Sequence, residues 1–121
     1  MGETILLVED ELETLESAKT MLEMLGYKVL TSSRPEEALK LVHKHKEDIL
    51  LLITDIVMPK MNGWERAQKL RIIQPAMKNI FMSGYVSDTI EQQNILEENV
   101  MFLQKPFTIE KLAITIKETL G

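Results

Sequence analysis

Four places in the sequence carry side chains that could bind a divalent cation or a phosphoryl group. An acid pair, Glu9-Asp10, follows the apolar run ILLV, and a further acid, Asp55, follows the apolar run ILLLIT. Ser83 stands in MSGY and Lys105 stands in FLQKPF, each after another short apolar stretch. Carboxylates that converge in one cleft repel one another and raise each other's pKa unless a cation neutralises them. Such hard oxygen ligands, with water completing the shell, suit Mg²⁺.

Each of these side chains also has an ordinary structural interpretation. A single Asp at the end of a strand is commonly a turn or helix cap, a serine before a glycine is commonly a turn residue, and a single lysine is commonly solvated. Their coincidence at one edge of a sheet is what favours a functional site, and that coincidence depends on the fold.

Strand-length apolar runs alternate with amphipathic segments along the chain. We predict five strands, at residues 4–9, 27–32, 49–54, 78–83 and 100–104. The first and third of these are continuously apolar, as expected for strands covered on both faces. Five strand–helix repeats predict an α/β fold with a doubly wound parallel sheet. In such sheets ligands bind at the carboxyl ends of the strands, where the candidate residues lie.

Five helices are predicted between and after these strands. The first covers residues 11–25 with Gly26 as its stop, and the second opens at Ser33, a candidate N-cap, with Pro35 in its first turn. The third starts near Gly63, the fourth spans about residues 87–99, and the fifth starts after Thr108. The residues predicted to face the core are Leu12, Leu15, Ala18, Met21, Leu22 and Leu25 in the first helix, Ala38, Leu39, Leu41 and Val42 in the second, and Leu112, Ala113, Ile116 and Leu120 in the fifth.

Composition limits the possible functions. The 121 residues predict one domain (1–121), and 45% hydrophobic content is enough for a core. A net charge of −5 with scattered basic residues argues against direct nucleic-acid binding. No apolar run approaches the roughly 20 residues of a membrane helix, and there is no cysteine. We therefore expect a cytoplasmic location, or the cytoplasmic portion of a larger sensor protein, with no direct membrane contact.

The motifs ILLVED, DIVMPKMNG, MSGY and FLQKPF resemble those of the response-regulator receiver domains of two-component phosphorelay signalling. The resemblance covers essentially the whole chain. It implies a flavodoxin-like (βα)5 fold with strand order 2-1-3-4-5. It also implies a phosphoacceptor signalling switch that catalyses only its own phosphorylation and slow dephosphorylation, rather than an enzyme that turns over a metabolite.

Carried over to this sequence, the resemblance makes Asp55 the phosphoacceptor. Asp10 and Asp55 would bind Mg²⁺, together with the backbone carbonyl of Val57. Many members of the family have Asp where Glu9 stands, and the longer Glu9 side chain would reach the metal through a water.

Further roles follow from the same resemblance. Ser83 would bind the phosphoryl group and Lys105 would pair with its oxygens, with a cis peptide bond expected at Lys105-Pro106. Phe102 occupies the aromatic switch position and could turn inward when Ser83 moves. Val57 and Tyr85 flank the path of an attacking water without a polar group to orient it, which predicts slow self-dephosphorylation.

The implied donor is the phosphohistidine of a histidine kinase or of a histidine phosphotransfer domain. A downstream protein would read the surface formed by the fourth helix, the fifth strand and the fifth helix. The chain could act alone or be a piece of a longer protein, and MSGY and LQKPF resemble receivers attached to hybrid sensor histidine kinases.

Two other functions also use some of these residue types or this fold. A haloacid-dehalogenase-like phosphohydrolase also uses an Asp nucleophile and Mg²⁺, but it needs a second Asp two residues on, where this chain has Leu12 after Asp10 and Val57 after Asp55. A phosphorylation-independent interaction module would be marked by a missing acceptor, hydroxyl or lysine, and none of these is missing.

Overall fold

Five strands form one parallel sheet in the computed structural model, which describes residues 3–45, 47–55, 77–83 and 101–121. The strands are β1 (Thr4–Val8), β2 (Lys28–Ser32), β3 (Ile49–Asp55), β4 (Lys78–Ser83) and β5 (Met101–Gln104). Their order across the sheet is β2-β1-β3-β4-β5, and every neighbouring pair is parallel. The predicted doubly wound sheet with order 2-1-3-4-5 is confirmed.

The central strands are apolar because both of their faces are covered. Side chains alternate between the two faces of a strand. One face carries a core cluster with α2 (Pro35–Lys44), and the other carries a cluster with α1 (Leu12–Met24) and the C-terminal helix α3 (Ile109–Leu120). The buried sheet residues of the first cluster are Leu6, Val8, Ile49, Leu52 and Phe81, and those of the second are Ile5, Leu7, Leu51, Ile53, Ile80, Met82 and Leu103.

Helix α1 ends in a Schellman motif centred on Gly26. The Gly26 N–H donates to the carbonyl of Glu23 at 3.0 Å, and the Tyr27 N–H donates to the carbonyl of Leu22 at 3.1 Å. Gly26 has φ 94°, a left-handed conformation that glycine adopts without steric cost. The predicted stop is confirmed, and it turns the chain directly into β2.

The start of α2 differs from the prediction. Arg34 is the N-cap residue, in extended conformation and without a side-chain cap, so the predicted Ser33 cap is wrong. The Ser32 hydroxyl instead accepts from the Arg34 N–H at 3.3 Å and donates to the Arg34 carbonyl at 2.6 Å. Pro35 begins the helix, as predicted, because it needs no N–H partner there.

One further prediction about buried faces is wrong, and another is incomplete. Leu12 is 66% exposed because it begins α1 at the rim of the sheet, one residue beyond the N-cap. In α3, Thr115 and Thr119 are buried, whereas Ala113 is only half-buried. Each threonine hydroxyl donates to the carbonyl four residues earlier, at 2.8 Å and 2.7 Å, so burial leaves no polar atom without a partner there.

The C-terminal helix α3 is the predicted fifth helix, and it starts after Thr108 as predicted. The Thr108 side chain accepts from the Lys111 N–H at 3.1 Å and caps the helix. The predicted third and fourth helices lie outside the described residues. None of the helices in the described part of the chain is both long and apolar enough to cross a membrane.

Candidate metal and phosphoryl site

Three carboxylates meet at the carboxyl edge of the sheet because β1 and β3 are adjacent and in register. Val8 pairs with Thr54, so the next residues, Glu9 and Asp55, stand level with each other. Asp10 follows directly. Glu9, Asp10 and Asp55 each offer one oxygen, and these oxygens all lie within 4.8 Å of one another. The sequence-based prediction that these acids converge is therefore matched by the geometry.

The three acids differ in exposure. Glu9 is fully buried, Asp55 is 6% exposed, and Asp10 is exposed. Two of the three acids are therefore buried, and Asp10 is the one that lies at the protein surface.

Lys105 reaches into the same cleft from the end of β5. Its Nζ donates to Asp55 Oδ2 at 2.7 Å and to Glu9 Oε2 at 3.1 Å, across 50 and 96 residues of sequence. The Lys105 side chain is 18% exposed. The Lys105-Pro106 peptide bond is cis, as expected. The ammonium therefore bridges two carboxylates on neighbouring strands.

The buried position of Glu9 changes its acidity. Burial, followed by the negative charge of Asp55, raises the Glu9 pKa from 4.5 to about 7. The Glu11 N–H, which donates to Glu9 Oε1 at 3.2 Å, and the Lys105 ammonium oppose that rise. For Lys105 burial acts to lower the pKa, but the hydrogen bonds and charges of Asp55 and Glu9 outweigh it and raise the pKa.

The cleft fits a divalent cation in charge and in ligand type. Three acidic side chains face a single ammonium, and Mg²⁺ would neutralise the negative charge that they carry when ionised. Ligands on opposite sides of a Mg²⁺ ion are about 4 Å apart, so carboxylate oxygens within 4.8 Å of one another need only small adjustments. Asp10 and Asp55 could bind the ion directly, with Glu9 beside them.

Two further predicted residues, Ser83 and Phe102, lie on the neighbouring strands β4 and β5. Ser83 ends β4 and pairs with Gln104 of β5, which puts its backbone at the same carboxyl edge. Phe102 is half-buried on the α2 side of the sheet, with its ring centroid 5.9 Å from that of Phe81 and the two planes at 37°. Val57 and Tyr85 lie outside the described residues.

Sequence reasoning missed two contacts. The first is the Glu9–Lys105 ion pair, for which no local pattern gives a signal because the partners come from opposite ends of the chain. The second is Phe81 as the neighbour of Phe102. The contact between Phe81 and Phe102 could have been predicted from the sequence, because the two residues hold equivalent positions on adjacent parallel strands.

Comparison with known proteins agrees with the fold. The sequence model of the response regulator receiver domain matches residues 5–117. The chain is 35% identical to the sensor kinase CckA of Brucella abortus over 117 residues, covering 97% of this chain and 12% of that kinase. It is 34% identical to the probable transcriptional regulator ycf27 of Guillardia theta, covering 98% of this chain and 45% of the regulator. It is also 31% identical to the response regulator receiver protein CpdR of Brucella abortus, covering 96% of this chain and 95% of CpdR.

Solved structures give the same result. The crystal structure of the receiver domain from the hybrid histidine kinase CckA superimposes with a TM-score of 0.83 at 35% identity, covering 98% of this chain and 99% of that one. A response regulator receiver domain from Clostridium thermocellum gives a TM-score of 0.83 at 30% identity, covering 98% and 94%. The chain belongs to the response regulator receiver domain family, whose members are regulatory domains of two-component signalling. It spans much less than the full length of the sensor kinase and of ycf27, and nearly the full length of CpdR.

Proposed function

We propose that this receiver domain, residues 1–121, is a Mg²⁺-dependent phosphoacceptor in which Asp55 takes a phosphoryl group from a phosphohistidine. The observation that carries the proposal is the cleft itself. Asp55 ends the central strand β3, its oxygen lies 2.7 Å from the Lys105 ammonium, and two further carboxylates flank it. A histidine kinase or a histidine phosphotransfer domain would supply the phosphohistidine.

The proposed reaction is an in-line transfer. One Asp55 carboxylate oxygen attacks phosphorus, the new O–P bond forms as the N–P bond to imidazole breaks, and the imidazole leaves with the bonding electrons and gains a proton from solvent. Such a transfer needs mainly positioning and charge neutralisation. Asp55 meets the first need because it stands on the end of a buried strand.

Positive charge comes from two sources in this proposal. Asp10, Asp55 and the Val57 carbonyl would hold Mg²⁺, with Glu9 beside the ion through a water. The bound ion would supply positive charge for the transfer. Lys105 already lies in the cleft and would pair with a second phosphoryl oxygen.

The readout is proposed to run through Ser83 and Phe102. Phosphorylation adds roughly 1.5 to 2 negative charges and three acceptor oxygens. The Ser83 hydroxyl would turn to the phosphoryl group, and Phe102 would follow into the vacated space. Since Phe102 is half-buried against Phe81, the proposed movement alters packing without adding a hydrogen bond. A downstream protein would read the surface formed by the predicted fourth helix, β5 and the C-terminal helix α3. The proposed movement would change the shape of that surface.

The proposal fits a relative that is much longer than this chain and a relative of nearly the same length. The chain resembles the receiver part of a sensor kinase and also CpdR, which has nearly the same length. The donor chemistry would be the same inside a hybrid kinase and in a separate regulator. A cytoplasmic location remains a prediction from the sequence.

Incubation with Mg²⁺ and acetyl phosphate, followed by intact-mass analysis, tests the proposal. We expect one added phosphoryl mass on the native chain, and its loss in Asp55→Asn and after chelation of the metal. Asp48→Asn is the matched control, because Asp48 is an exposed acid before β3 that pairs only loosely with His45, at 3.9 Å.

Two results would contradict the proposal. An adduct that persists in Asp55→Asn would place the acceptor elsewhere. No adduct on the native chain from either acetyl phosphate or a phosphorylated histidine kinase would favour an interaction module that works without phosphorylation.

A further inference from the structure

Lys105 is held by two carboxylates that have different duties in the proposed reaction. Its ammonium lies 2.7 Å from Asp55 Oδ2 and 3.1 Å from Glu9 Oε2. The two acids sit at the ends of neighbouring strands, β1 and β3, so the lysine spans the gap between them.

Asp55 holds Lys105 less strongly as the reaction proceeds. The two oxygens of a carboxylate offer about four lone pairs in all. If one Asp55 oxygen binds the cation and the other attacks phosphorus, both give up electron density and the hydrogen bond from Lys105 to Oδ2 weakens. A lysine ammonium on a flexible four-carbon stem would then be free to leave the cleft for solvent.

Glu9 is built to hold the lysine at that moment. Its side chain is fully buried, and Oε1 is fixed by the Glu11 N–H at 3.2 Å while Oε2 faces Lys105. Its position depends on β1 and on the start of α1. It therefore stays in place when Asp55 exchanges its partner.

We propose that Glu9 is the positioning residue of Lys105: it keeps the ammonium in the cleft while Asp55 binds the cation, so that Lys105 is ready to meet the incoming phosphoryl oxygens. This inference rests on the proposed function and deepens it. In this proposal Glu9 has two roles: it positions Lys105, and it contacts the metal through a water as predicted.

The two duties predict different behaviour when Glu9 is neutralised. If Glu9 serves only the metal, Glu9→Gln weakens Mg²⁺ binding, and Lys105 stays protected once Mg²⁺ is saturating. If Glu9 holds the lysine, Lys105 becomes accessible in Glu9→Gln only when Mg²⁺ has drawn Asp55 away. A merely structural role would loosen Lys105 with or without the cation.

Brief acylation of lysine amines, read by peptide mass analysis, measures this accessibility. The native chain and Glu9→Gln are labelled in EDTA and in saturating Mg²⁺, with exposed Lys117 as the internal reference. We expect slow labelling of Lys105 in both proteins in EDTA, where Asp55 still binds it. In Mg²⁺ we expect the native chain to remain protected and Glu9→Gln to label several-fold faster.

The matched control is Glu16→Gln, which removes the same charge from an exposed position of α1 and should behave like the native chain. Glu9→Asp is the second variant, to be used if Glu9→Gln does not fold. It keeps the charge but shortens the side chain by one methylene, so Lys105 should again label faster than in the native chain in Mg²⁺.

Calorimetric titration with Mg²⁺ separates the failure of this inference from the failure of the proposed function. If Mg²⁺ binds both proteins and Lys105 in Glu9→Gln labels at the native rate in saturating Mg²⁺, the inference is wrong and the metal site stands. If the native chain gives no Mg²⁺ binding signal, the proposed function fails and this inference fails with it.

Discussion

Glu9 and Asp55 are acids of similar intrinsic strength that the fold puts to different uses. Glu9 is fully buried with both oxygens engaged by protein donors, whereas Asp55 is 6% exposed and ends the central strand β3. A buried carboxylate that faces another carboxylate favours its protonated form. The raised pKa of Glu9 therefore marks an electrostatic cost of building the cleft, which the protein bears whenever no cation is bound.

That cost should appear in the pH dependence of stability without divalent cations. Glu9 has a pKa of 4.5 when unfolded and about 7 when folded, so between these values the folded state binds the extra proton. The free energy of unfolding should fall as pH rises from 4.5 to 7, by on the order of 1–3 kcal/mol. Urea denaturation in EDTA at several pH values measures it.

Glu9→Gln should flatten this decline, because glutamine cannot ionise, while Glu16→Gln should leave it as in the native chain. Since Asp55 and Lys105 face Glu9 in the cleft, both must be kept intact in these variants. An equally steep decline in Glu9→Gln would assign the effect to another group.

Val57 carries a prediction about the lifetime of the phosphoryl group. Its place two residues after Asp55 flanks the path of an attacking water, according to the family resemblance, and valine cannot orient that water. Val57→Asn should shorten the lifetime of the phosphorylated form several-fold, as followed by intact mass after removal of the phosphodonor. Val57→Ala adds space without polarity and is the control. A lifetime in Val57→Asn that is unchanged or longer would count against the prediction.

At the scale of elements, turns fix how strands and helices deliver residues to the cleft. The Schellman motif at Gly26 ends α1 and sends the chain straight into β2. Helix α1 begins immediately after the acid pair, so its placement also fixes the Glu11 N–H that holds Glu9.

Gly26→Ala should therefore destabilise the domain by about 1–2 kcal/mol, because a Cβ is unfavourable at φ 94°. Glu23→Ala, on the last turn of the same helix and in helical conformation, should cost much less. Thermal unfolding of the two variants gives the comparison. Equal melting temperatures would show that the chain can end α1 without a left-handed residue.

At the scale of the whole molecule, two core layers hold the sheet rigid beneath the cleft. The layer on the α1 and α3 face joins both helices to the four strands β1, β3, β4 and β5. Lys105 lies between β5 and α3, so the packing of α3 also determines where the lysine stem starts.

Two isoleucines of α3 test this packing. Ile116 is fully buried in the core layer, whereas Ile114 is 52% exposed on the same helix. Ile116→Ala should lower the free energy of unfolding by about 2–5 kcal/mol, and Ile114→Ala should change it by no more than about 0.5 kcal/mol. Chemical denaturation measures both, and similar losses would mean that α3 does not pack as described.

Much of the fold could be predicted from sequence because its signals are local. Continuous apolar runs mark buried parallel strands, helical spacing marks α1 and α2, and Gly26 and Thr108 mark helix ends. Errors occurred where a neighbouring element overrides the local pattern. Leu12 fits the helical spacing but lies beyond the sheet, and Thr115 is polar but satisfies its hydroxyl within the helix.

The sequence by itself determined which residue types stand at the strand ends, and hence that acids and a lysine would share one edge of the sheet. Only the tertiary structure decided that Glu9 would be buried, that Asp10 would stay exposed, and that Lys105 would bridge Glu9 and Asp55. The physical reason is that strand ends follow from local hydrophobic patterns. Burial, and the pairing of charges distant in sequence, depend instead on which strands lie side by side and in what register.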